Sequence, residues 1–356
     1  MDTRKEKRII VLHEYGSNSH YNALQFLCEH NNINIRYREF RVFHLIGSGI
    51  KHRQIDKVLK QAINICCLFR LATSKGENIV LGMHPYDRRL PILSFNLRNH
   101  TVYYHTSYTT WFPDEMENNK NTSQKRLSRI KDFFRNKPKH IFAVTQKAKD
   151  SLCSFTGVDK DKVSVVYHSY MSQLKMTSNP PLNSYIYVGR MDRQKGVIEI
   201  CDYFLKHPEL KLTLIGEGNC TSYIMNISKQ SKNIKYVGYV KGLYNLMPFY
   251  NQNAYFILNS KRTKEWEELF GQVIFESMAC GCVPICVNHS GPKEIISNMI
   301  NGFLFEETEF SNIMDYVKDN VDYDKYLKLR KMAYTRGHEF EASNISSRWF
   351  PILMNK

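Results

Sequence analysis

The sequence predicts an α/β protein of two Rossmann-like domains, and three observations predict it. Short apolar runs alternate with amphipathic stretches along the chain, and that alternation breaks off once and begins again. The break holds Asn179-Pro180-Pro181, a turn-forming tripeptide of the kind that joins domains. A chain of 356 residues is also long enough to bury two cores of ordinary size.

In the first half the apolar runs are Ile9–Leu12, Ile33–Tyr37, Asn78–Met83, Thr101–His105, His140–Thr145 and Val163–Val166, with Tyr21–Cys28 and Ile55–Leu71 among them. Runs this continuously apolar suit strands buried on both faces, hence a mostly parallel sheet. The second series comprises Tyr185–Val188, Val197–Leu205, Leu210–Ile215, Ile234–Val237, Ala254–Leu258, Val273–Ala279 and Val283–Val287. The expected organisation is a first domain over residues 1–170, a linker over 171–184, a second domain over 185–336 and a closing segment over 337–356, with a cleft between the domains. Ligands of open parallel sheets sit beyond the carboxyl ends of the strands, so functional residues are expected in the loops that follow strands.

The formal net charge of +16 implies polyanionic partners, which include nucleic acid, an anionic membrane surface and phosphorylated substrates. A nucleic-acid-binding protein is supported by charge alone, since no recognition module is present. The amino-terminal strand Ile9–Leu12 is too short for a signal-peptide core, and Ala62–Ala72 is interrupted by Asn64 and Arg70, well short of the roughly 20 apolar residues that span a bilayer. A cytoplasmic protein, soluble or peripheral on a membrane, is therefore expected. The nine cysteines include no CxxC pair, and Cys280, Cys282 and Cys286 lie among small apolar residues that suit burial rather than zinc.

The strongest local signal is Val188-Gly189-Arg190-Met191-Asp192-Arg193-Gln194-Lys195-Gly196, which follows a strand and opens a helix. Glycines permit close backbone approach, and Arg190 and Lys195 place two cations near a helix amino terminus, a cradle for a diphosphate. The second signal is Glu268-Leu269-Phe270-Gly271-Gln272-Val273-Ile274-Phe275-Glu276, two carboxylates flanking the start of a helix. Carboxylates accept charge-assisted hydrogen bonds from sugar and ribose hydroxyls. Each signal alone also fits a solvated loop or helix face.

With Ser290-Gly291-Pro292-Lys293-Glu294 and Asn301-Gly302-Phe303-Leu304, these segments resemble the donor-binding half of glycosyltransferase family 4, which has the GT-B fold. The resemblance covers about Tyr185 to Phe305. It implies a retaining, metal-independent glycosyltransferase with no cofactor, whose donor is a nucleotide-diphosphate sugar such as a UDP-sugar. The resemblance assigns Arg190 and Lys195 to the diphosphate, Glu268 to the transferred sugar and Glu276 to the ribose. Gly189 belongs to the same loop. Backbone amides of Phe270, Gly271 and Gln272 would meet sugar and phosphate, and Gly238 and Tyr239 the nucleobase. The loop after the first strand, Glu14-Tyr15-Gly16-Ser17-Asn18, stands where the family has paired glycines, which assigns Gly16 and Ser17 to the phosphate. His105, at a strand end, would lie near the transferred sugar, with His84 as a rival.

The acceptor implied is a glycan or a lipid-linked precursor, in cell-surface polysaccharide or glycolipid synthesis. A GT-B epimerase or phosphorylase is the enzymatic alternative. The segment Lys125–Lys139 reads equally as an interfacial helix drawn to anionic lipid and as an amphipathic helix covering the first sheet. Tyr103, Tyr104, Tyr108, Trp111 and Phe112 read as an acceptor wall or as core. Two Asp-x-Asp matches, Asp159–Asp161 and Asp322–Asp324, read as polar turns or helix faces rather than metal ligands. The resemblance implies that the stretch Phe340–Leu353, with Trp349 and Phe350, is a final helix that packs back on the first domain.

Overall fold

The computed structural model describes residues 8–14, 16, 18–42, 46–47, 55–109, 123–171, 173–263 and 267–353. The chain divides into two compact units, Met1–Met171 with Ala342–Lys356 and Ser172–Glu341.

The first unit carries β1 (Arg8–His13), α1 (Asn22–His30), β2 (Asn34–Glu39), α2 (Ile55–Thr73), β3 (Asn78–Gly82), α3 (Leu90–Asn96), β4 (Thr101–Thr106), α4 (Gln124–Asn136), β5 (His140–Ala143), α5 (Gln146–Thr156) and β6 (Val163–Val165). Its sheet has the order β2-β1-β3-β4-β5-β6, with every pairing parallel. Alternate side chains along a strand point to opposite faces. Ile10, Leu12, Leu81 and Tyr104 accordingly meet α3, α4 and α5 on one face, while Ile9, Val11, Val80 and Tyr103 meet α1 on the other.

That second face is closed by the carboxyl-terminal segment. It is not one helix but a short α13 (Ala342–Ser346) followed by a 3₁₀ stretch, Ser347–Ile352. Trp349 lies 4.3 Å from the Phe142 ring, and Ile345 and Ile352 are buried beside it. The segment that joins the first unit starts at Ala342 rather than at residue 337, because the preceding helix continues to His338 within the second unit.

The second unit comprises β7 (Ser184–Val188), α6 (Val197–Lys206), β8 (Lys211–Ile215), α7 (Thr221–Gln230), β9 (Ile234–Gly238), α8 (Leu243–Asn251), β10 (Tyr255–Leu258), α9 (Gln272–Ala279), β11 (Val283–Val287), α10 (Ser290–Ile295), β12 (Phe303–Phe305), α11 (Phe310–Asn320) and α12 (Tyr323–His338). The strand order is β12-β11-β10-β7-β8-β9, again wholly parallel. Every residue of β7, β10 and β11 is buried, which is why they read as unbroken apolar runs. The order reverses between β7 and β10, so the loops after these two strands diverge around a crevice.

Within the expected linker, 171–184, residues 173–183 are strapped to the second unit. Asn251 Oδ1 accepts the Thr177 N–H at 2.6 Å, Asn251 Nδ2 donates to the Lys175 carbonyl at 2.9 Å, and Arg330 donates to Asn179 Oδ1 at 2.6 Å. Leu174 is buried there.

Candidate active site

The loop after β7 is held rigidly by its own backbone. The Gly189 N–H donates to the Ile215 carbonyl at 3.0 Å and the Met191 N–H to Glu217 at 3.1 Å, while the Tyr187 hydroxyl donates to the Arg190 carbonyl at 2.7 Å. A 3₁₀ turn, Arg193–Lys195, ends at Gly196, whose φ is +65°. A Cβ at Gly196 would run into the Asn259 carbonyl of the loop after β10. Glycine therefore lets the two switch-point loops touch. The Lys261 N–H then closes onto the Gln194 carbonyl at 2.8 Å.

This geometry brings together two of the residues singled out from the sequence. Lys195 Nζ lies 2.6 Å from Glu268 Oε2, and Ser260 Oγ donates to the same oxygen at 3.1 Å. Both charged side chains are largely enclosed, at 13% and 12% exposure. Glu268 is fixed from behind as well. Its N–H donates to His289 Nδ1 at 3.2 Å and its carbonyl accepts the Gly291 N–H at 3.0 Å. Buried His289 must then carry its proton on Nε2, which donates to Glu307 Oε1 at 2.7 Å. Ser260 and His289 were not singled out in the sequence, although Ser260 follows a strand where such residues are expected.

Arg190 is placed differently. Its side chain is 64% exposed and pairs with Asp192 at 2.9 Å. It lines a cavity of about 550 Å³ with Asp192, Arg193, Gln194, Asn219 and Tyr223. Gly271 stands at φ +76° before α9, and the N–H groups of Gly271 and Gln272 make no hydrogen bond among the described residues. Amides at a helix amino terminus point outward and favour anions. The Phe270 side chain is core, 5.7 Å from the Phe275 ring. Glu276, on α9, has no hydrogen bond or ion pair among the described residues, and desolvation pushes its carboxyl up to about 7. Gly238 ends the edge strand β9, and Tyr239, which follows it, is exposed.

In the first unit His105 ends β4, opposite Gly82 of β3. It is buried against Tyr21, at 4.8 Å between ring centroids, and Trp349, at 5.5 Å, and its Nε2 has no partner among the described residues. Burial first, and then the neighbouring His168, His20 and His13, hold it well below the ordinary histidine range. Its rival His84 accepts the Tyr86 N–H at 3.2 Å and meets the Tyr108 ring edge-on. Gly16 has φ +69° and packs on the Glu39 carboxylate. Ser17 lies outside the described residues, as do Trp111 and Phe112.

A cluster missed in the sequence stands at the same strand ends. Arg89 donates to Glu14 Oε1 at 3.1 Å and also pairs with Asp87. Burial and then Asp87 push the Glu14 carboxyl up to about 7. Both Asp-x-Asp matches prove to be caps: Asp159 accepts the Asp161 N–H at 3.0 Å and Asp322 the Lys325 N–H at 2.8 Å. The clustered cysteines are buried, with the Cys280 thiol pushed up to about 12. Tyr103 and Tyr104 are core residues, and α4 buries Ile130, Phe133 and Phe134 against the sheet, so the apolar side of Lys125–Lys139 serves packing.

Two parallel six-stranded sheets, each with its helices, define the GT-B fold. Solved structures agree over nearly the whole chain. Anabaena HepE in complex with UDP and glucose superposes with a TM-score of 0.65 at 18% identity, covering 98% of this chain and 99% of that one. The apo form of the lipopolysaccharide outer core galactosyltransferase WaaB gives 0.64 at 15% identity, with the same coverage. Residues 175–337, within the second unit, match the family model of the group 1 glycosyltransferases.

Among curated relatives, the Campylobacter jejuni N-acetylgalactosamine-N,N'-diacetylbacillosaminyl-diphospho-undecaprenol 4-alpha-N-acetylgalactosaminyltransferase is 27% identical over 165 residues, 45% of this chain and 43% of that protein. Sucrose synthase of Solanum tuberosum is 26% identical over 153 residues, 37% of this chain and 18% of that protein. The chain thus matches less than half the length of these relatives.

Proposed function

We propose that this protein is a retaining glycosyltransferase that moves a sugar from a nucleotide-diphosphate donor to a glycan or lipid-linked acceptor, in polysaccharide or glycolipid synthesis. The observation that carries the reading is the Lys195–Glu268 pair closed over the β7/β10 switch point, with Ser260 on the shared oxygen. A cation and an acid at one crevice answer the two needs of such a donor, charge on the diphosphate and hydroxyls on the sugar.

In this reading Lys195, Arg190 and the amides of Gly271 and Gln272 stabilise charge as the diphosphate leaves, which is the main barrier to transfer. Gly189 lets the loop approach the phosphates. Glu268 orients the transferred sugar, and Glu276 accepts hydrogen bonds from the ribose. Gly238 and Tyr239 serve the nucleobase, and the Phe270 backbone borders the sugar. His105, Gly16 and Ser17 of the first unit complete the assignment on the sugar and phosphate side. No side chain is assigned as base, since the departing phosphate itself takes the acceptor's proton, and no metal is assigned to the diphosphate. The cationic surface suits peripheral attachment to an anionic membrane, and no helix among the described residues is long and apolar enough to cross one.

Relatives support these donor and acceptor classes: HepE is seen with UDP and glucose, and the C. jejuni enzyme is named for a diphospho-undecaprenol acceptor. Screening nucleotide sugars for thermal stabilisation, followed by donor hydrolysis on the hits, tests the proposal. Stabilisation by one nucleotide sugar, and its slow hydrolysis, is expected. Absence of stabilisation by any of them overturns it.

A further inference from the structure

A second cavity, about 960 Å³, runs along the helical side of the first unit between α3 and α4. Its floor is apolar, from Leu90, Pro91, Phe95, Ile130 and Phe133. Phe95 is 64% exposed, and its neighbour Ile92 63%. Over this floor stand the cations Arg88, Arg98, Lys125, Arg126, Arg129 and Lys137, against the carboxylates of Asp87 and Asp132.

The charges differ in how far they are already satisfied. Lys137 Nζ donates to the Leu97 and Arg98 carbonyls at 3.0 and 3.2 Å, and Arg126 donates to the Tyr86 carbonyl. Arg98 lies over the Phe95 ring at 4.1 Å. Asp87 is held by Arg89, and Asp132 accepts from Asn136 at 2.7 Å. Arg88, Lys125 and Arg129 make no hydrogen bond or ion pair among the described residues. Lys125 and Arg129 stand four residues apart on α4 and so share one face.

A concave apolar floor beneath three cations unmatched among the described residues is complementary to an amphipath with a multiply charged anionic head. Phosphate and diphosphate groups meet that description, and paired guanidinium groups bind them in a fork. The volume is that of a site enclosing one small molecule, whereas attachment to a bulk membrane surface needs a flat or convex apolar face. One end of the groove is also anchored functionally. Asp87 connects through Arg89 to Glu14 at the carboxyl edge of the sheet, where an acceptor sugar belongs.

We propose that the α3–α4 groove seats one molecule of a lipid-linked acceptor, with its phosphate or diphosphate under Arg88, Lys125 and Arg129 and the start of its hydrocarbon chain on Phe95, Leu90 and Ile130. This rests on the glycosyltransferase reading for the acceptor's role, but the binding itself is measured without catalysis.

The test is flotation of the full chain with neutral phosphatidylcholine vesicles doped with a polyprenyl diphosphate, beside vesicles matched in charge with phosphatidylglycerol. Wild type is expected to float with the first and to stay behind with the second. Arg88→Glu/Arg129→Glu and, separately, Phe95→Asp alter exposed side chains and should keep the wild-type melting temperature while weakening flotation about tenfold or more, some 1.4 kcal/mol. Equal flotation with both vesicles, flotation with neither, or undiminished flotation of the variants overturns the proposal. Thermal stabilisation by nucleotide sugars, measured on the same samples, should be unchanged in the variants. If no nucleotide sugar stabilises wild type, the donor reading fails while flotation still judges the groove.

Discussion

Lys195 and Glu268 are separated by 73 residues in sequence and by 2.6 Å at their charged atoms. The pair leaves Glu268 Oε1 without a partner among the described residues, so one oxygen holds the lysine and the other is available to a sugar hydroxyl. Lys195→Ala and Glu268→Gln are each expected to lower kcat/KM by about 10²–10³, the loss typical of one preorganised charge-stabilising group. Lys195→Ala should also lower stability by about 1–3 kcal/mol, because it leaves an enclosed carboxylate without its cation. Transfer assays with circular dichroism melts separate the two effects, and wild-type turnover in either variant contradicts the assignment.

Glu276 supplies a pH signature. Its carboxyl rises from 4.5 to about 7 because burial penalises the ionised form. Between these values the folded state holds more protons than the unfolded one, so this group's stabilisation is complete below pH 4.5 and is lost as pH rises to about 7. Glu276→Gln should remove that slope and gain at most about 3 kcal/mol on wild type at pH 8 relative to pH 4. Donor affinity should move oppositely, rising through pH 7 in wild type as the carboxylate ionises to accept ribose hydroxyls, and staying flat in the variant. Calorimetric titration across that range decides.

The second unit is the more legible in sequence because its constraints are local. Strands β7, β10 and β11 are buried on both faces, and the 189–196 loop and the 268–276 stretch carry glycines and charges at positions set by short-range backbone geometry. What escaped depends on topology. Ser260 and His289 join the site only because β10 pairs with β7 and β11 with β10, and a serine or histidine carries no sign of such a neighbour. Glu14, Asp87 and Arg89 come from loops 73 residues or more apart. The 173–183 strap looked like a linker since Pro180 and Pro181 interrupt regular structure, yet Asn251 and Arg330 satisfy its backbone from a distance. The pairing of Arg190 with Asp192 is likewise not something the motif announces.

Gly196→Ala tests the contact between the two switch-point loops. An alanine there meets both an unfavourable positive φ and the Asn259 carbonyl. Strain of this kind costs about 1–3 kcal/mol, and the backbone shift that relieves it displaces Lys195. Nucleotide-sugar stabilisation should fall more steeply than the melting temperature. A variant that binds donor as wild type does would show that the loop contact is dispensable.

The histidines of the first unit predict acid sensitivity of opposite sign to that of Glu276. Burial first, then His20, lowers His13 from 6.5 to about 4 despite Glu39, and His105 and His168 lie well below their usual range. The unfolded chain takes up these protons from about pH 6.5 downward while the folded unit resists. Stability of the first unit is therefore full above pH 6.5 and declines progressively toward pH 4. Hydrogen exchange at pH 7 and pH 5 should show faster opening of β1 and β4 at the lower pH, and His105→Phe should reduce the difference. Equal protection at both pH values would contradict this.

Trp349 connects that histidine cluster to the end of the chain. Its ring packs on Phe142 and on His105, and Ile345 and Ile352 complete the same face of the first sheet. Trp349→Ala removes a fully buried ring and should destabilise the first unit by about 3–5 kcal/mol. The second unit has its own sheet and core, so nucleotide-sugar binding assigned to it should survive under conditions where transfer is lost, and Trp349→Phe should recover most of the transfer. A two-step melt in Trp349→Ala, with only the later step shifted by the nucleotide sugar, is the expected record. Parallel loss of donor binding and transfer at one temperature would instead mean that the two units unfold as a single cooperative body and that the closing segment stabilises both.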